Sequence, residues 1–403
     1  MLVVLGSCNE APGRAAGDER AVQTTSSPEA APAQAGQVQA APAAALAPAG
    51  GHLQITGTLF RTADGRVWPW RGITSFRLLE QLAAGRTDAV ERYLAWAAEE
   101  KLTVVRVLAM AKHLFELSPE RGRAHLDDLL TRAARHNLHV EIVALADTAS
   151  FDVKPADQVS AIAAIAARHP NAILELANEP YHPTQRPEVH DRKQLTGWLS
   201  FVPGPVPVAT GADDTFDDSS DGDYVTYHFS RSSGQQGWGH VLALAEGHGV
   251  RERLGKPLIN DEPIGAGPTY QPGRRDNNPD RLRGAALLTR MTGMGATFHY
   301  EGGLQSRIPD GAELASFNAW QEAWSHLPAD VEQGIFRPAG TTGSAATVSG
   351  AAGAWEVQKH DEAWLLIVGA PATTKVQWAS GWREEKPIIW NDSQLRRAVR
   401  SAP

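Results

Sequence analysis

Short apolar runs alternate with amphipathic stretches through the middle of the chain. Eight runs bounded by turn residues are predicted to be buried strands: Trp70–Phe76, Thr103–Ala109, His139–Ala146, Ile173–Asn178, Val206–Thr210, Tyr224–Phe229, Pro257–Asp261 and Ala296–Tyr300. Five stretches repeat apolar residues at the spacing of one helix face: Thr87–Lys101, Ser118–Asn137, Pro155–His169, Asp280–Gly293 and Asp310–Trp324. The crossovers after the fifth and sixth strands show no clear helical pattern. This alternation predicts an α/β fold, a (β/α)8 TIM barrel.

An open, doubly wound sheet is the alternative fold. Such a sheet usually carries a glycine-rich phosphate loop after its first strand, and Gly72-Ile73-Thr74-Ser75 is not such a loop. The barrel is therefore the favoured prediction.

The pattern changes on both sides of the predicted barrel. A small β-hairpin is expected at Leu53–Arg61, before the first barrel strand. After about Leu327, turn residues separate four predicted strands, and a helical pattern follows them at Gln394–Arg400. These strands are Ala354–Lys359, Ala363–Val368, Thr374–Trp378 and Ile388–Trp390. We predict three regions: a leader and linker (1–51), the barrel (52–326) and a small β-rich domain (327–403).

The first 51 residues differ in kind from the rest. Cys8, the one cysteine of the chain, follows Leu5-Gly6-Ser7 and an apolar start. This order resembles a bacterial lipobox, in which a signal peptide is cleaved before a cysteine that then carries lipid, although no basic segment precedes the short apolar run. The Ala- and Pro-rich residues up to Gly51 bury too little to offset their ordering entropy, which predicts a disordered tether. A plain unstructured terminus is the alternative.

Composition and charge narrow the classes of function. Hydrophobic residues make up 42% and charged residues 21% of the chain, which indicates a globular protein. The net charge of −8 argues against a partner held by nucleic-acid phosphates. A single cysteine excludes an intrachain disulfide. The lipobox-like segment predicts export, either as a lipoprotein attached to a membrane through Cys8, periplasmic or on the cell surface, or as a secreted protein.

Two predicted strands end in carboxylates. The fourth ends in Ala177-Asn178-Glu179-Pro180, and the seventh ends in Asn260-Asp261-Glu262-Pro263. Catalytic residues of (β/α)8 barrels come from the C-terminal ends of the strands. Two carboxylates that face each other across a sugar are what glycoside hydrolysis requires, because one protonates the leaving oxygen and the other attacks the anomeric carbon or activates water.

These strand ends resemble those of the retaining glycoside hydrolases with (β/α)8 barrels, and the cellulase-like family 5 is the nearest type. The entry from Gly57-Thr58-Leu59-Phe60 to Trp70-Arg71-Gly72-Ile73 is similar as well, and the resemblance spans residues 53–325. It implies that Glu179 is the acid/base and that Glu262 is the nucleophile, with Asp261 as a competitor for that role. It also implies that Asn178 binds the sugar 2-hydroxyl.

The resemblance assigns further residues to the substrate site. Arg106, on the second strand, matches an arginine that keeps the nucleophile ionised, and a nearby guanidinium does lower a carboxylate pKa. Tyr227 and His228 fall where the clan places a His or Tyr that contacts the nucleophile. An acid is expected in the more apolar position of the two glutamates, where it keeps its proton longer. For each of these side chains, an ordinary packing or ion-pair role is the alternative.

Other candidates depart from the clan pattern. The eighth strand ends in Phe298-His299-Tyr300, where a tryptophan is usual, so His299 and Tyr300 are candidate substitutes. Arg77 follows the first strand and is expected at the mouth, where it would meet an acidic sugar. Trp238 is either a sugar platform or a packing residue. Glu175, four residues before Glu179, is expected to lie deeper in the barrel and to need a buried cationic or hydrogen-bonding partner rather than to act in catalysis.

No cofactor and no catalytic metal are expected. The histidines are scattered, and a His-Glu-x-x-His motif is absent from the sequence. The acidic stretch Asp213–Asp223 does not match a calcium loop and is interpreted as a solvated loop, with a calcium site as the alternative. The sequence thus predicts an exported retaining glycosidase that acts on a β-linked oligo- or polysaccharide. The alternative is a non-catalytic carbohydrate-binding lipoprotein on the same barrel.

Overall fold

A computed structural model describes residues 51–211, 220–228, 237–262 and 278–401. Cys8, the predicted tether and most of the acidic stretch after the fifth barrel strand lie outside these residues. Of the acidic stretch, Asp221 is described and pairs with Arg192 at 2.9 Å. None of the described helices is both long enough and apolar enough to cross a membrane.

Eight parallel strands form a nearly closed barrel, as predicted. In chain order they are β3 (Arg71–Thr74), β4 (Val104–Leu108), β5 (His139–Leu145), β6 (Ala172–Ala177), β7 (Val208–Ala209), β8 (Val225–His228), β9 (Leu258–Glu262) and β10 (Gly295–Phe298). Pairing runs through β7, β6, β5, β4, β3, β10, β9 and β8 in that order. Between β7 and β8, the peptide N–H of Asp223 donates to the Val208 carbonyl at 2.7 Å, and the Asp223 carboxylate accepts from the Val208 N–H at 3.0 Å.

A β-hairpin and three aromatic rings close the lower end of the barrel. The hairpin consists of β1 (Gln54–Thr56) and β2 (Leu59–Arg61). The rings of Phe60, Trp70 and Tyr224 lie 5.4–5.6 Å apart and fill the space among the strand starts. The polar groups of the interior begin directly above these rings, where the Tyr224 hydroxyl donates to Glu141 at 2.9 Å.

Helices connect the strands and cover the barrel. They are α1 (Leu78–Ala83), α2 (Thr87–Glu99), α3 (Pro119–Arg135), α4 (Pro155–Ala166), α5 (Pro187–His190), α6 (Arg192–Trp198), α7 (Trp238–Ala243), α8 (Glu246–Leu254), α9 (Pro279–Met291), α10 (Glu301–Leu304) and α11 (Gly311–Ser325). The five predicted helices correspond to α2, α3, α4, α9 and α11. The fourth crossover, between β6 and β7, contains the short helices α5 and α6, and the sixth, between β8 and β9, contains α7 and α8; these helices are too brief to show a clear period in the sequence.

The C-terminal region is an antiparallel sheet structure, as predicted. Its strands are β11 (Ile335–Pro338), β12 (Ala346–Ser349), β13 (Gly353–Lys359), β14 (Glu362–Val368), β15 (Lys375–Trp378), β16 (Trp382–Glu384), β17 (Ile388–Ile389) and β18 (Ser393–Arg400). The helix expected at Gln394–Arg400 is wrong, because this segment is β18. It pairs along its length with β14, and Leu395 and Ala398 are buried in the sheet.

Candidate active site

Arg106 is the centre of the polar interior at the upper end of the barrel. Its side chain is fully buried on β4. The guanidinium donates from Nε to Glu175 Oε2 at 3.0 Å, from Nη1 to Glu262 Oε1 at 3.1 Å and from Nη2 to Asn178 Oδ1 at 3.0 Å. Its Nε also lies 3.6 Å from Glu141 Oε2. One cation therefore ties together side chains from three other strands, and Glu175 has the buried cationic partner expected for it.

A β-bulge at the end of β9 brings two consecutive carboxylates to Arg106. Tyr227 pairs with Asn260, but His228 pairs with Glu262, so Asp261 is the extra residue of the bulge. Alternation alone would turn neighbouring side chains to opposite faces of the strand. Here Asp261 lies 3.3 Å and Glu262 3.1 Å from the guanidinium. The bulge thus aims Glu262 into the barrel mouth while Asp261 remains fully buried below it.

Four carboxylates surround one guanidinium, and the pKa values reflect this imbalance. Burial lowers the pKa of Arg106, but the carboxylates more than reverse this and keep it charged. Burial raises the pKa of Glu141 to about 8, and the charge of Glu175 adds to the rise. Burial also raises the pKa of Asp261 well above its usual range, against the opposing effect of Arg106. Burial thus disfavours the charged form of Asp261, which is the form that a nucleophile needs.

Glu179 faces Glu262 across His228. It directly follows Asn178 at the end of β6, and its backbone has a left-handed φ of 43°, which turns the chain sharply at the barrel mouth. His228 Nδ1 lies 3.3 Å from Glu179 Oε1, and His228 Nε2 lies 3.8 Å from Glu262 Oε1. One carboxylate oxygen of Glu179, one of Glu262 and a ring nitrogen of His228 all lie within 4.8 Å of one another.

The proton on His228 depends on the two glutamates. Burial alone lowers the pKa of this imidazole, but the negative charge of Glu262 and the hydrogen bond with Glu179 raise it above its ordinary value. Glu179 is the more open of the two glutamates, since 32% of its side chain is exposed against 7% for Glu262. Glu179, the acid that the resemblance implies, thus lies in the less apolar position of the two, and its role as the acid stays a prediction. The two carboxylates also differ in that Glu262 accepts a hydrogen bond from Arg106.

Comparison with known proteins finds similarity in structure but not in sequence. No family model and no curated protein matches the chain. A solved structure described as a glycoside hydrolase is 15% identical and aligns over 89% of this chain and 99% of its own, with a TM-score of 0.58. A family 5 glycoside hydrolase from Bacteroides vulgatus is 14% identical over 87% of this chain and 94% of its own, with a TM-score of 0.58.

A third similar structure is a β-glucanase from Saccharophagus degradans in complex with cellotetraose. It is 11% identical, covers 69% of this chain and 94% of its own, and has a TM-score of 0.51. The fold is that of the family 5 glycoside hydrolases. The resemblance inferred from the strand ends is therefore confirmed for the fold. The remaining candidate residues are described next by their places in this fold.

The side chains of His299 and Tyr300, at the end of β10, point to opposite faces of the barrel wall. His299 points into the barrel, where its Nε2 lies 3.8 Å from Glu262 Oε2 and its Nδ1 lies 3.0 Å from the hydroxyl of Thr74. Tyr300 is fully buried on the other face, and its hydroxyl contacts the Tyr93 hydroxyl at 3.1 Å. The prediction that Tyr300 binds substrate is wrong, because strand alternation turns it toward the surrounding helices.

Trp238 packs against the C-terminal sheet region, which favours its packing role over that of a sugar platform. It begins α7, and its indole N–H donates to Asp392 Oδ2 of the C-terminal sheet region at 3.1 Å. Its ring lies so close to Gly284 and Gly369 that a Cβ on either glycine would approach it to 3.0–3.1 Å. The half-buried ring therefore packs between α9 and the C-terminal sheet region.

Tyr227 and Arg77 both contact other residues of the protein, Tyr227 in the hydrophobic core and Arg77 through hydrogen bonds beside α1. Tyr227 precedes the inward-facing His228 on β8, is 8% exposed and belongs to the main hydrophobic core. Arg77 follows β3, and its guanidinium donates to Glu80 Oε2 at 2.5 Å and to Gln305 Oε1 at 2.6 Å. These contacts hold Arg77 beside α1. Its expected role toward an acidic sugar stays a prediction.

Sequence reasoning missed Glu141 as a partner of Arg106. Glu141 sits in the apolar run His139–Leu145, just as Arg106 and Glu175 interrupt their own apolar strands. A lone charge inside a buried strand signals a buried partner, and this signal was available at all three positions. The bulge at Asp261 has no comparable sequence signal.

Two groups of side chains lie close enough together to hold a metal ion within the described residues: Glu175 with His228 and Asp261, and Glu179 with His228 and Glu262. The guanidinium of Arg106 already pairs with Glu175 and Asp261, so a cation in the first group would meet an existing positive charge. The second group consists of the predicted catalytic carboxylates and the histidine between them. The absence of a metal requirement stays a prediction.

Proposed function

We propose that this protein is a retaining glycoside hydrolase of β-linked carbohydrates, with Glu262 as the nucleophile and Glu179 as the acid/base. The observation that carries the proposal is the approach of these two carboxylates at the mouth of a family 5 fold. Their oxygens come within 4.8 Å of each other. Retaining enzymes hold the two carboxyl groups about 5–5.5 Å apart, whereas inverting enzymes need about 6.5–9.5 Å to admit a water.

The surroundings of the two glutamates support the division of roles. Glu262 accepts a hydrogen bond from Arg106, which favours the charged form that a nucleophile needs. Glu179 contacts His228 and is the more accessible of the two, as suits a group that exchanges protons with the leaving alcohol and with water. Arg106 also holds Asn178, so the side chain expected to contact the sugar 2-hydroxyl is fixed beside the nucleophile.

The reaction proceeds by double displacement. Glu262 forms a bond to the anomeric carbon while the glycosidic bond breaks, and the departing oxygen takes the proton of Glu179. In the second step Glu179 removes a proton from water, the water oxygen bonds to the anomeric carbon, and the bond to Glu262 breaks. Glu179 regains its proton and Glu262 its charge, so the enzyme returns to its starting state.

The experiment that tests these roles uses azide as an external nucleophile. Glu179→Ala should still form the glycosyl-enzyme from an activated aryl β-glycoside, because a nitrophenolate leaves without protonation. Azide needs no general base, so it should restore turnover and give a glycosyl azide of retained configuration. Glu262→Ala should lose activity toward every leaving group, and azide should give only the inverted product.

Several outcomes would contradict the assignment. If the two variants exchange these behaviours, the roles of Glu179 and Glu262 are reversed. If Glu262→Ala keeps near-native turnover, another residue is the nucleophile. If the wild-type protein binds oligosaccharides but cleaves none of a panel of aryl glycosides and β-linked polysaccharides, the non-catalytic carbohydrate-binding alternative is favoured.

A further inference from the structure

Barrel closure brings Thr74 and His299 together at the upper ends of β3 and β10. These strands are neighbours, with Ile73 opposite Phe298 in the ladder. One residue further along each strand, the Thr74 hydroxyl lies 3.0 Å from His299 Nδ1. Thr74 is completely buried and His299 is 7% exposed, so the contact is shielded from water.

The other nitrogen of the same ring faces the proposed nucleophile. His299 Nε2 lies 3.8 Å from Glu262 Oε2, while Arg106 Nη1 lies 3.1 Å from Glu262 Oε1. The two oxygens of the carboxylate thus face nitrogens from different strands. Catalytic hydrogen bonds are often long in the absence of substrate and shorten in the complex, so the distance to His299 is compatible with a working contact.

The chemistry of the three groups decides where the imidazole proton lies. An ionised carboxylate only accepts hydrogen bonds, so Glu262 favours a proton on Nε2 of His299. In the neutral ring Nδ1 is then an acceptor, and the Thr74 hydroxyl is the donor that meets it. A hydroxyl that fixes one ring nitrogen in this way selects the tautomer that presents N–H to the carboxylate.

We propose that Thr74 and His299 are a positioning pair that orients Glu262 and stabilises its charge when the glycosyl-enzyme breaks down. This inference rests on the proposed function. In the second step water bonds to the anomeric carbon, Glu179 takes the proton of the water, and the electron pair of the breaking bond returns to Glu262. An N–H aimed at that carboxylate favours its departure, so the pair acts on the second step more than on substrate binding.

The kinetic test compares Thr74→Val with Thr74→Ser. Valine matches the shape of threonine but lacks the hydroxyl, whereas serine keeps it. On an activated aryl β-glycoside, for which the second step limits turnover, Thr74→Val should lower kcat by up to about tenfold, the effect of losing one hydrogen bond between neutral groups. KM should fall in parallel, and intact-protein mass spectrometry should show accumulated glycosyl-enzyme. Thr74→Ser should behave like the wild type.

A merely structural role would give a different result. A fall in kcat with an unchanged KM and no accumulated intermediate would overturn the proposal, and so would wild-type kinetics in Thr74→Val. Thermal melting of the same samples separates a loss of folded protein from a change in the chemical step.

A second measurement does not depend on turnover. Histidine ¹⁵N NMR of the wild type, with His299→Asn to assign the signal, should show His299 protonated on Nε2, and Thr74→Val should show a mixture of tautomers. A proton fixed on Nδ1 in an active enzyme would overturn the pair and leave the proposed function intact. The Nε2 tautomer in a protein that cleaves no glycoside would instead overturn the proposed function.

Discussion

Glu175 shows how one buried residue separates stability from catalysis. Its carboxylate accepts a hydrogen bond from Arg106 and is fully buried, four residues before Glu179 in the chain. We predict that Glu175→Gln lowers the melting temperature by several degrees, because a hydrogen bond to a charged group is worth about 1.5–3 kcal/mol. The folded fraction of the variant should keep most of its turnover, so the main effect should be on the melting temperature. Glu120→Gln, on the exposed start of α3, is the matched control.

One outcome of the melting and activity measurements would contradict this role for Glu175. If Glu175→Gln keeps the wild-type melting temperature but loses all activity, Glu175 takes part in the reaction and its role has been misassigned.

Glu141 predicts a pH dependence of stability. Its pKa is raised from 4.5 to about 8 in the folded protein, so folding favours the protonated form. This stabilising effect is complete below pH 4.5 and is lost as the pH rises to about 8, where the unfolded chain is ionised and the folded one resists ionisation. Glu141→Gln removes the penalty while its amide oxygen can still accept from Tyr224. The variant should melt above the wild type at pH 8 and close to it at pH 4.5, as measured by calorimetry.

At the scale of single residues, the sequence predicts charged groups better than aromatic ones. Arg106 and Glu175 interrupt apolar strands, so their burial and pairing follow from the sequence alone. Tyr300 and Trp238 are candidates for sugar contact by residue type, but strand alternation turns Tyr300 outward, and Trp238 packs against the C-terminal sheet region. Such assignments depend on which face of an element meets which neighbour, and composition does not carry that information.

Two helical glycines allow a prediction at the scale of elements. Gly122 in α3 packs so tightly against β4 that a Cβ would lie 1.8 Å from the Ala109 carbonyl oxygen, whereas a Cβ on Gly249 in α8 would meet nothing within 4 Å. Alanine favours a helix over glycine by about 0.8–1 kcal/mol. Chemical denaturation should therefore find Gly249→Ala stabilised by up to this amount and Gly122→Ala destabilised. Equal effects of both substitutions would show that α3 can move away from β4.

Strands of the barrel were predictable because both their faces are buried, which leaves short uninterrupted apolar runs in the sequence. The wrong prediction at β18 arose because its structure depends on distant strands rather than on its local sequence pattern. Gln394–Arg400 has helix-compatible residues, but β14 and β16 offer it hydrogen-bonding partners on both sides. Long-range pairing of this kind overrides local propensity and is invisible in a short window of sequence.

Truncation at opposite ends should affect the whole molecule differently. Deleting residues 1–51 should leave melting temperature and activity within error, because their composition offers no core-forming face. Deleting residues 327–403 should give an insoluble or unfolded chain, because it uncovers Trp238 and removes the stacking of Arg283 on Trp390 at 5.3 Å. Differential scanning fluorimetry of both truncations is the measurement. A stable, active barrel without residues 327–403 would show that the C-terminal region is dispensable.

The proposed lipid anchor is tested on the whole protein in a bacterial host. We predict that Cys8→Ala releases the protein from the membrane fraction into the soluble fraction, because the thioether-linked lipid would have no attachment point. Ser7→Ala serves as a control that keeps the cysteine. If Cys8→Ala still sediments with membranes, the resemblance to a lipobox is accidental.

Because of the bulge at Asp261, the placement of the carboxylates beside Arg106 depends on the number of residues at the end of β9. Point substitutions at Asn260 or Asp261 alter packing or charge, yet they leave the number of residues between Ile259 and Glu262 unchanged. Removing one residue there would restore one-to-one pairing with Glu262 still opposite His228, so only one carboxylate, instead of two, would turn toward Arg106. During divergence or directed evolution, this stretch should therefore accept no insertion or deletion, and libraries that vary loop length are best kept outside it.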